Sequence, residues 1–216
     1  QIHFNKVDIQ LGARYDNRLI DLASGISKNF NSFNGAAGAK INIVEKITAR
    51  LNLATGFRAP NLAELTSYGV HHGTNRFEIG NPDLESERNF QTDLSLEYGN
   101  QHFEVFANGF YNSLNNYIYA APNGEFEEEY AVYEYIQNDA ELYGGEFGIH
   151  LHPHPLDWLH LESNFEMVIG KQKNGDYLPL IPANKWSNTI RGEFAGNKLF
   201  KDMYVALNLD SFADQD

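Results

Sequence analysis

Histidine supplies the clearest chemistry in this sequence. His71 and His72 are adjacent in Val70-His71-His72-Gly73-Thr74. Neutral imidazole binds zinc and haem iron well. Neighbouring residues of an extended chain face opposite ways, so one of the pair would ligate. Both are candidate ligand-binding and metal residues, weighed against a solvated pair in a surface loop. A second group is His150-Leu151-His152-Pro153-His154, with His160 further on. On a strand, His150 and His152 share a face, and a chelating pair at that spacing is sterically feasible. Arg58 and Asn81 are the other candidate ligand-binding residues. A guanidinium at Arg58 either grips an anionic group or anchors a loop through hydrogen bonds. Asn81-Pro82-Asp83 reads as a turn. The acidic run Glu125, Glu127, Glu128 and Glu129 reads as a solvated loop tip, with a cation-collecting funnel as the alternative.

Other chemistries lack their residues. The chain has no cysteine, which removes thiol nucleophiles, thiolate metal sites and disulfides. No P-loop, GxSxG, HExxH or EF-hand pattern occurs, so no catalytic residues and no enzyme are expected, and no cofactor is required. The net charge of -13 argues against a nucleic-acid partner, which needs a basic face. No apolar run is long enough for a transmembrane helix, and residues 1–20 lack the zones of a signal peptide.

The elements that must position these residues are strands. Val7, Ile9, Leu11, Ala13 and Tyr15 alternate with Asp8, Gln10, Gly12, Arg14 and Asp16. Ile47, Ala49, Leu51, Leu53 and Phe57 alternate with Thr48, Arg50 and Asn52, and about nine such segments follow one another. Phe106 and Phe110 break the pattern in 103–111. Connections near 44–46, 99–101, 153–157 and 196–201 are short. Those near 17–32, 59–88, 120–130 and 172–184 are long, and the two kinds alternate. An up-and-down meander then has one trimmed end and one ornate end, as outer-membrane barrels do. Alternation alone leaves a soluble β-sandwich open, because it does not say whether the apolar face meets lipid or a second sheet. Arg58 continues the polar face of its strand. The His150/His152 pair abuts a short turn, at the end away from His71 and His72, where contact with an internal domain or headgroups is the favoured reading.

Specific boxes sit on the strand ends. Gly56-Phe57-Arg58-Ala59-Pro60-Asn61-Leu62-Ala63-Glu64-Leu65 opens the longest loop, and Gly80-Asn81-Pro82-Asp83-Leu84-Glu85-Ser86-Glu87 closes it. They resemble the "FRAP" and "NPxL…E" boxes of TonB-dependent receptors. Gly12-Ala13-Arg14-Tyr15-Asp16, Tyr143-Gly144-Gly145-Glu146 and Leu178-Pro179-Leu180-Ile181-Pro182 resemble further strand ends of that family, in the right order. The resemblance implies an all-β, antiparallel, up-and-down transmembrane β-barrel of 22 strands in the outer membrane of a Gram-negative bacterium. It also implies a plug domain and a segment that contacts TonB. Residues 1–216 are expected to be one interior piece of a single barrel domain, about nine strands without the plug. Its implied partners are the TonB complex through the missing plug, outer-membrane lipid, and a small-molecule or metal ligand. In haem and zinc receptors of this kind, histidine lies between the two boxes, where His71 and His72 stand. Haem or a metal ion is therefore the expected cargo, then a ferric siderophore. A soluble extracellular β-sandwich that binds carbohydrate or protein is the rival from another class.

Overall fold

Alternating stretches between proline and glycine breaks become strands because each can pair on both edges while keeping one apolar face. The computed structural model describes residues 2–22, 25–196 and 202–214. They form β1 (Ile2–His3), β2 (Val7–Asp21), β3 (Ser27–Val44), β4 (Ile47–Arg58), the short helix α1 (Leu62–Thr66), β5 (Tyr68–His71) and β6 (Arg76–Ile79). Then come β7 (Glu87–Gly99), β8 (Phe103–Glu127), β9 (Tyr130–Leu151), β10 (Leu159–Gln172), β11 (Lys185–Ala195) and β12 (Asp202–Phe212). All twelve strands belong to one sheet. Its path runs β1-β2-β3-β4-β7-β8-β9-β10-β11-β12, each strand antiparallel to the next. The β5–β6 hairpin joins through a parallel pairing of β6 with β9. Nine strands have 11 residues or more, in line with the sequence tally. β1, β5 and β6 are too short to register as alternation.

The register puts like residues side by side. Leu51 stands between Ala39 and Leu94, and Phe165 between Phe147 and Trp186. This apolar face is uncovered: Leu51, Leu94, Phe147, Trp186, Ile190 and Leu207 are all exposed. The opposite face pairs Arg50 with Glu97 and Asn52 with Asp93. Phe106 and Phe110 lie on that polar face, opposite Gly148 and Gly144. A Cβ at Gly148 would strike the Phe106 ring, so the break in alternation is a ring laid over a glycine.

Two connections expected to be long are strand instead. β2 and β3 pair out to Asp21 and Ser27, across most of the predicted loop over 17–32. β8 and β9 pair out to Glu127 and Tyr130, across most of the predicted 120–130 loop. β8 has 25 residues, roughly 80 Å at about 3.3 Å per residue. A tilted crossing uses only about 9–11 of these. Beyond the bilayer both faces of a hairpin meet water, so alternation fades while the backbone ladder continues. Glu125, Glu127, Glu128 and Glu129 are exposed at that hairpin's tip, as expected of a solvated run. The stretches between β4 and β7, and between β10 and β11, are connections as predicted. Most of the 196–201 connection lies outside the described residues, as do the chain ends Gln1, Gln215 and Asp216.

Burial is concentrated at the ornate end. Ile20, Leu65, Leu84 and Ile118 form one cluster, packed by Leu22, Phe30 and Tyr135. Leu114, Ala140 and Leu178 form another, packed by Tyr117, Tyr119, Leu142 and Ile181. Leu65, Leu84 and Leu178 come from the loops, so each loop is fastened to the wall by a leucine.

Candidate functional site

The loop between β4 and β7 is built on Arg58. Pro60 cannot donate to the ladder, so pairing ends there. Asn61 then caps α1: its Oδ1 accepts from Glu64 N at 2.9 Å, and Glu64 Oε2 accepts from Asn61 N at 2.8 Å. The same Glu64 carboxylate takes Arg58 Nη1 at 2.7 and 2.9 Å. Arg58 grips Glu87, at the start of β7, with Nε and Nη2, both at 2.6 Å. Glu87 Oε1 also accepts from Ile118 N at 2.6 Å. Glu64 and Glu87 are buried. One guanidinium thus ties the loop's first turn to the start of β7 and, through Glu87, to β8. Sequence reading does not single out Glu64 or Glu87. The Asn61-x-x-Glu64 spacing is the local signal that points to the first; the second closes the "NPxL…E" box, but nothing local points to its partner.

Asn81 lies in the closing turn. Its Oδ1 accepts from Asp83 N at 2.9 Å, and its N donates to Glu64 O at 2.7 Å. Beside it, Gly80 N donates to Ser67 O at 2.7 Å. A Cβ on Gly80 would sit 2.6 Å from Ser67 N and Thr66 N. Gly80→Ala must therefore push β6 away from the end of α1, at about 1–3 kcal/mol. In the full-length receptor, this variant should be cut faster by added protease between residues 59 and 86. An unchanged digestion pattern would contradict the close packing.

The β5–β6 hairpin carries His71 and His72 at its tip, both exposed. His71 Nδ1 lies 3.1 Å from Thr74 Oγ1. The hairpin is held from below. Glu78, buried on β6, accepts from Arg76 Nε at 2.8 Å and from Tyr135 Oη at 3.0 Å. Arg76 also stacks on the Tyr133 ring. Burial pushes the Glu78 carboxyl up, but the Arg76 and Tyr135 hydrogen bonds, with the charges of Arg76 and His71, outweigh it. Its pKa is held below the ordinary carboxylate range. Glu85 and Gln137 exchange backbone and side-chain hydrogen bonds at 2.7 and 2.8 Å. Tyr133 and Tyr135 thus fasten this loop to β9. Among the described residues, no His, Cys, Asp or Glu group of three that fits a metal includes His71 or His72.

Such a group does form at the trimmed end. His150 (β9), His152 just beyond it and His160 (β10) offer ligand atoms all within 4.8 Å of one another. Burial, then the neighbouring His150 and His160, hold the His152 pKa below the usual histidine value. Of the sequence's second histidine group, the structure brings together His150, His152 and His160, while His154 lies against Asp157; His71, His72 and Asn81 stand in the opposite loop, with Arg58 at its base.

A single sheet with a bare apolar face and loops fastened at one end has a specific set of relatives. Residues 1–206 match the family described as TonB dependent receptor-like, beta-barrel. This chain belongs to the TonB-dependent receptors. It is 33% identical over 144 residues to transferrin-binding protein A of Haemophilus influenzae, covering 64% of this chain and 15% of that protein. Among solved structures, it resembles the copper transporter OprC with a TM-score of 0.73 and 16% identity, over 88% of this chain and 30% of that one. It resembles the FrpB iron transporter of Neisseria meningitidis with a TM-score of 0.65 and 14% identity, over 98% and 36%. The siderophore receptor PirA of Pseudomonas aeruginosa gives 0.55 and 15%, over 94% and 49%. The chain thus spans only a part of the proteins it matches.

For a TonB-dependent receptor, the bare face of Leu51 and Leu94 is the lipid face in the Gram-negative outer membrane. The β-sandwich rival falls, since the family over residues 1–206 is a β-barrel and the fold matches such barrels. The chain is no enzyme, and TonB-dependent receptors need no cofactor beyond the ligands they bind.

Proposed function

We propose that the receptor containing this chain takes up a scarce metal or metal complex, and that the loop over 59–86 helps to capture it. The supporting observation is the exposed His71/His72 tip on a hairpin fastened by Arg58, Glu78 and Glu87. A rigid mount presenting imidazole to the outside suits an axial haem ligand or one ligand of a metal ion shared with the cargo. On this reading Arg58 and Asn81 shape the loop, and contact with cargo falls to its exposed histidines. Uptake would be driven through a plug domain by TonB. The structural relatives, a copper transporter, an iron transporter and a siderophore receptor, fit metal cargo in general.

A ferric siderophore is the second reading. Tyr68 favours it: the ring is exposed at the base of the same hairpin and packs edge-on against Phe77, an open face for a flat aromatic ligand. Haemin titration of the full-length receptor in detergent separates the two. Haem capture predicts a Soret shift lost in a His71→Ala/His72→Ala variant. An unchanged Soret band removes haem and turns the test to zinc and ferric siderophores.

A further inference from the structure

At the opposite end of the wall from that loop, three imidazoles converge on the polar face. The His150 and His152 rings lie 4.1 Å apart, His152 and His160 4.2 Å, and His150 and His160 5.5 Å. Strand pairing makes the cluster. Glu162 on β10 stands opposite His150 on β9 and Thr189 on β11, and His160 stands opposite Arg191. His150 Nε2 is 3.3 Å from His160 Nδ1. Two nitrogens bound to one tetrahedral zinc at about 2.0–2.1 Å are also about 3.3 Å apart.

The surroundings favour a cation. His160 is more than nine-tenths buried, and its Nε2 makes no hydrogen bond. Glu193 Oε1 stands 3.4 Å from that nitrogen, placed to orient the ring as an outer carboxylate does for a ligating histidine. Glu162 and Glu104 lie 3.5 and 3.9 Å from the His150 nitrogens. The opposing group is Arg191, whose Nη2 is 3.3 Å from His160 Nδ1. It also lies 3.5 Å from Glu193 and 3.9 Å from Glu162, so it has carboxylates to pair with when that nitrogen is taken. Three carboxylates against one guanidinium leave two net negative charges around the rings, which a divalent cation balances.

We propose that His150, His152 and His160 form a binding site for a divalent transition-metal ion at the trimmed end of the barrel wall. Imidazole donors select zinc, nickel or copper(II) over magnesium and calcium. His150 comes from the end of β9, His152 from just past it and His160 from β10, so the ion would clip the strands together where the connection 152–158 leaves the wall. The site is independent of the outer loop and of the cargo proposed for it.

The test is a cobalt(II) titration of the full-length receptor in detergent, with any affinity tag removed, followed by visible absorption and then by zinc competition. The expected result is a saturable band of low-coordinate, imidazole-bound cobalt that zinc abolishes. His152→Gln and His150→Gln, made separately, should each weaken binding at least about tenfold, since losing even an outer partner of a ligand costs about 10–100-fold. A His71→Ala/His72→Ala variant should keep the band. Folding of each variant is checked by heat-modifiable gel mobility, and His152 lies past the end of its strand. No saturable binding, or binding that both glutamine variants retain, would overturn the proposal.

Discussion

Arg58→Ala should release the loop over 59–86 from the barrel wall. The substitution leaves the buried carboxylates of Glu64 and Glu87 without their shared cation, and no second Lys or Arg hydrogen-bonds either carboxylate among the described residues. Breaking a buried ion pair by removing one partner costs about 3–5 kcal/mol. The Arg58 side chain is 41% exposed, which puts the loss near the lower end, about 3 kcal/mol. Arg58→Lys should recover only part of it, because an ammonium does not reproduce the two-pronged grip on Glu87. The measurement is protease sensitivity of the loop in the folded, full-length receptor, beside its urea midpoint. Faster cutting in Arg58→Ala, with Arg58→Lys in between, is the expected order. Wild-type resistance in both variants would mean that the leucine clusters hold the loop unaided.

Leu51→Arg should block insertion of the barrel. Leu51 lies on the bare apolar face between Ala39 and Leu94, with 43% of its surface open. An arginine facing lipid near mid-bilayer costs roughly 2–4 kcal/mol. The control is Asn52→Arg, one residue along, on the face where Asp93 stands opposite. Refolding into lipid vesicles reads the difference: the first variant should fail or lag, and the second should insert. Equal insertion of both would reverse the assignment of faces.

These two residues differ in how far the sequence discloses them. Leu51 is legible, because a period of two assigns its face without knowledge of any partner. Arg58 is legible only in its face and its two possible roles. Its partners lie 6 and 29 residues away, and the second is reached only after a helix and a hairpin have folded back. The chain's outer hairpins are hidden in the sequence for a different reason. Where β8 and β9 leave the membrane, no apolar face is needed, so the pattern that marks a strand disappears although the strand does not. His160 shows the same limit as Glu87. Its place beyond a short turn from His150 is visible, but the 3.3 Å approach depends on the register of β10 against β9 and β11.

By itself, the sequence determined the β-strands, which residues share each strand's apolar face and, through its boxes, the family. Each follows from local rules: side-chain period, the breaks made by proline and glycine, and short boxes of fixed order. Only the tertiary structure decided where the strands stop, what Arg58 holds and which histidines meet. Those depend on pairing between distant segments, where many local contributions sum to select one register and no single residue announces its partner.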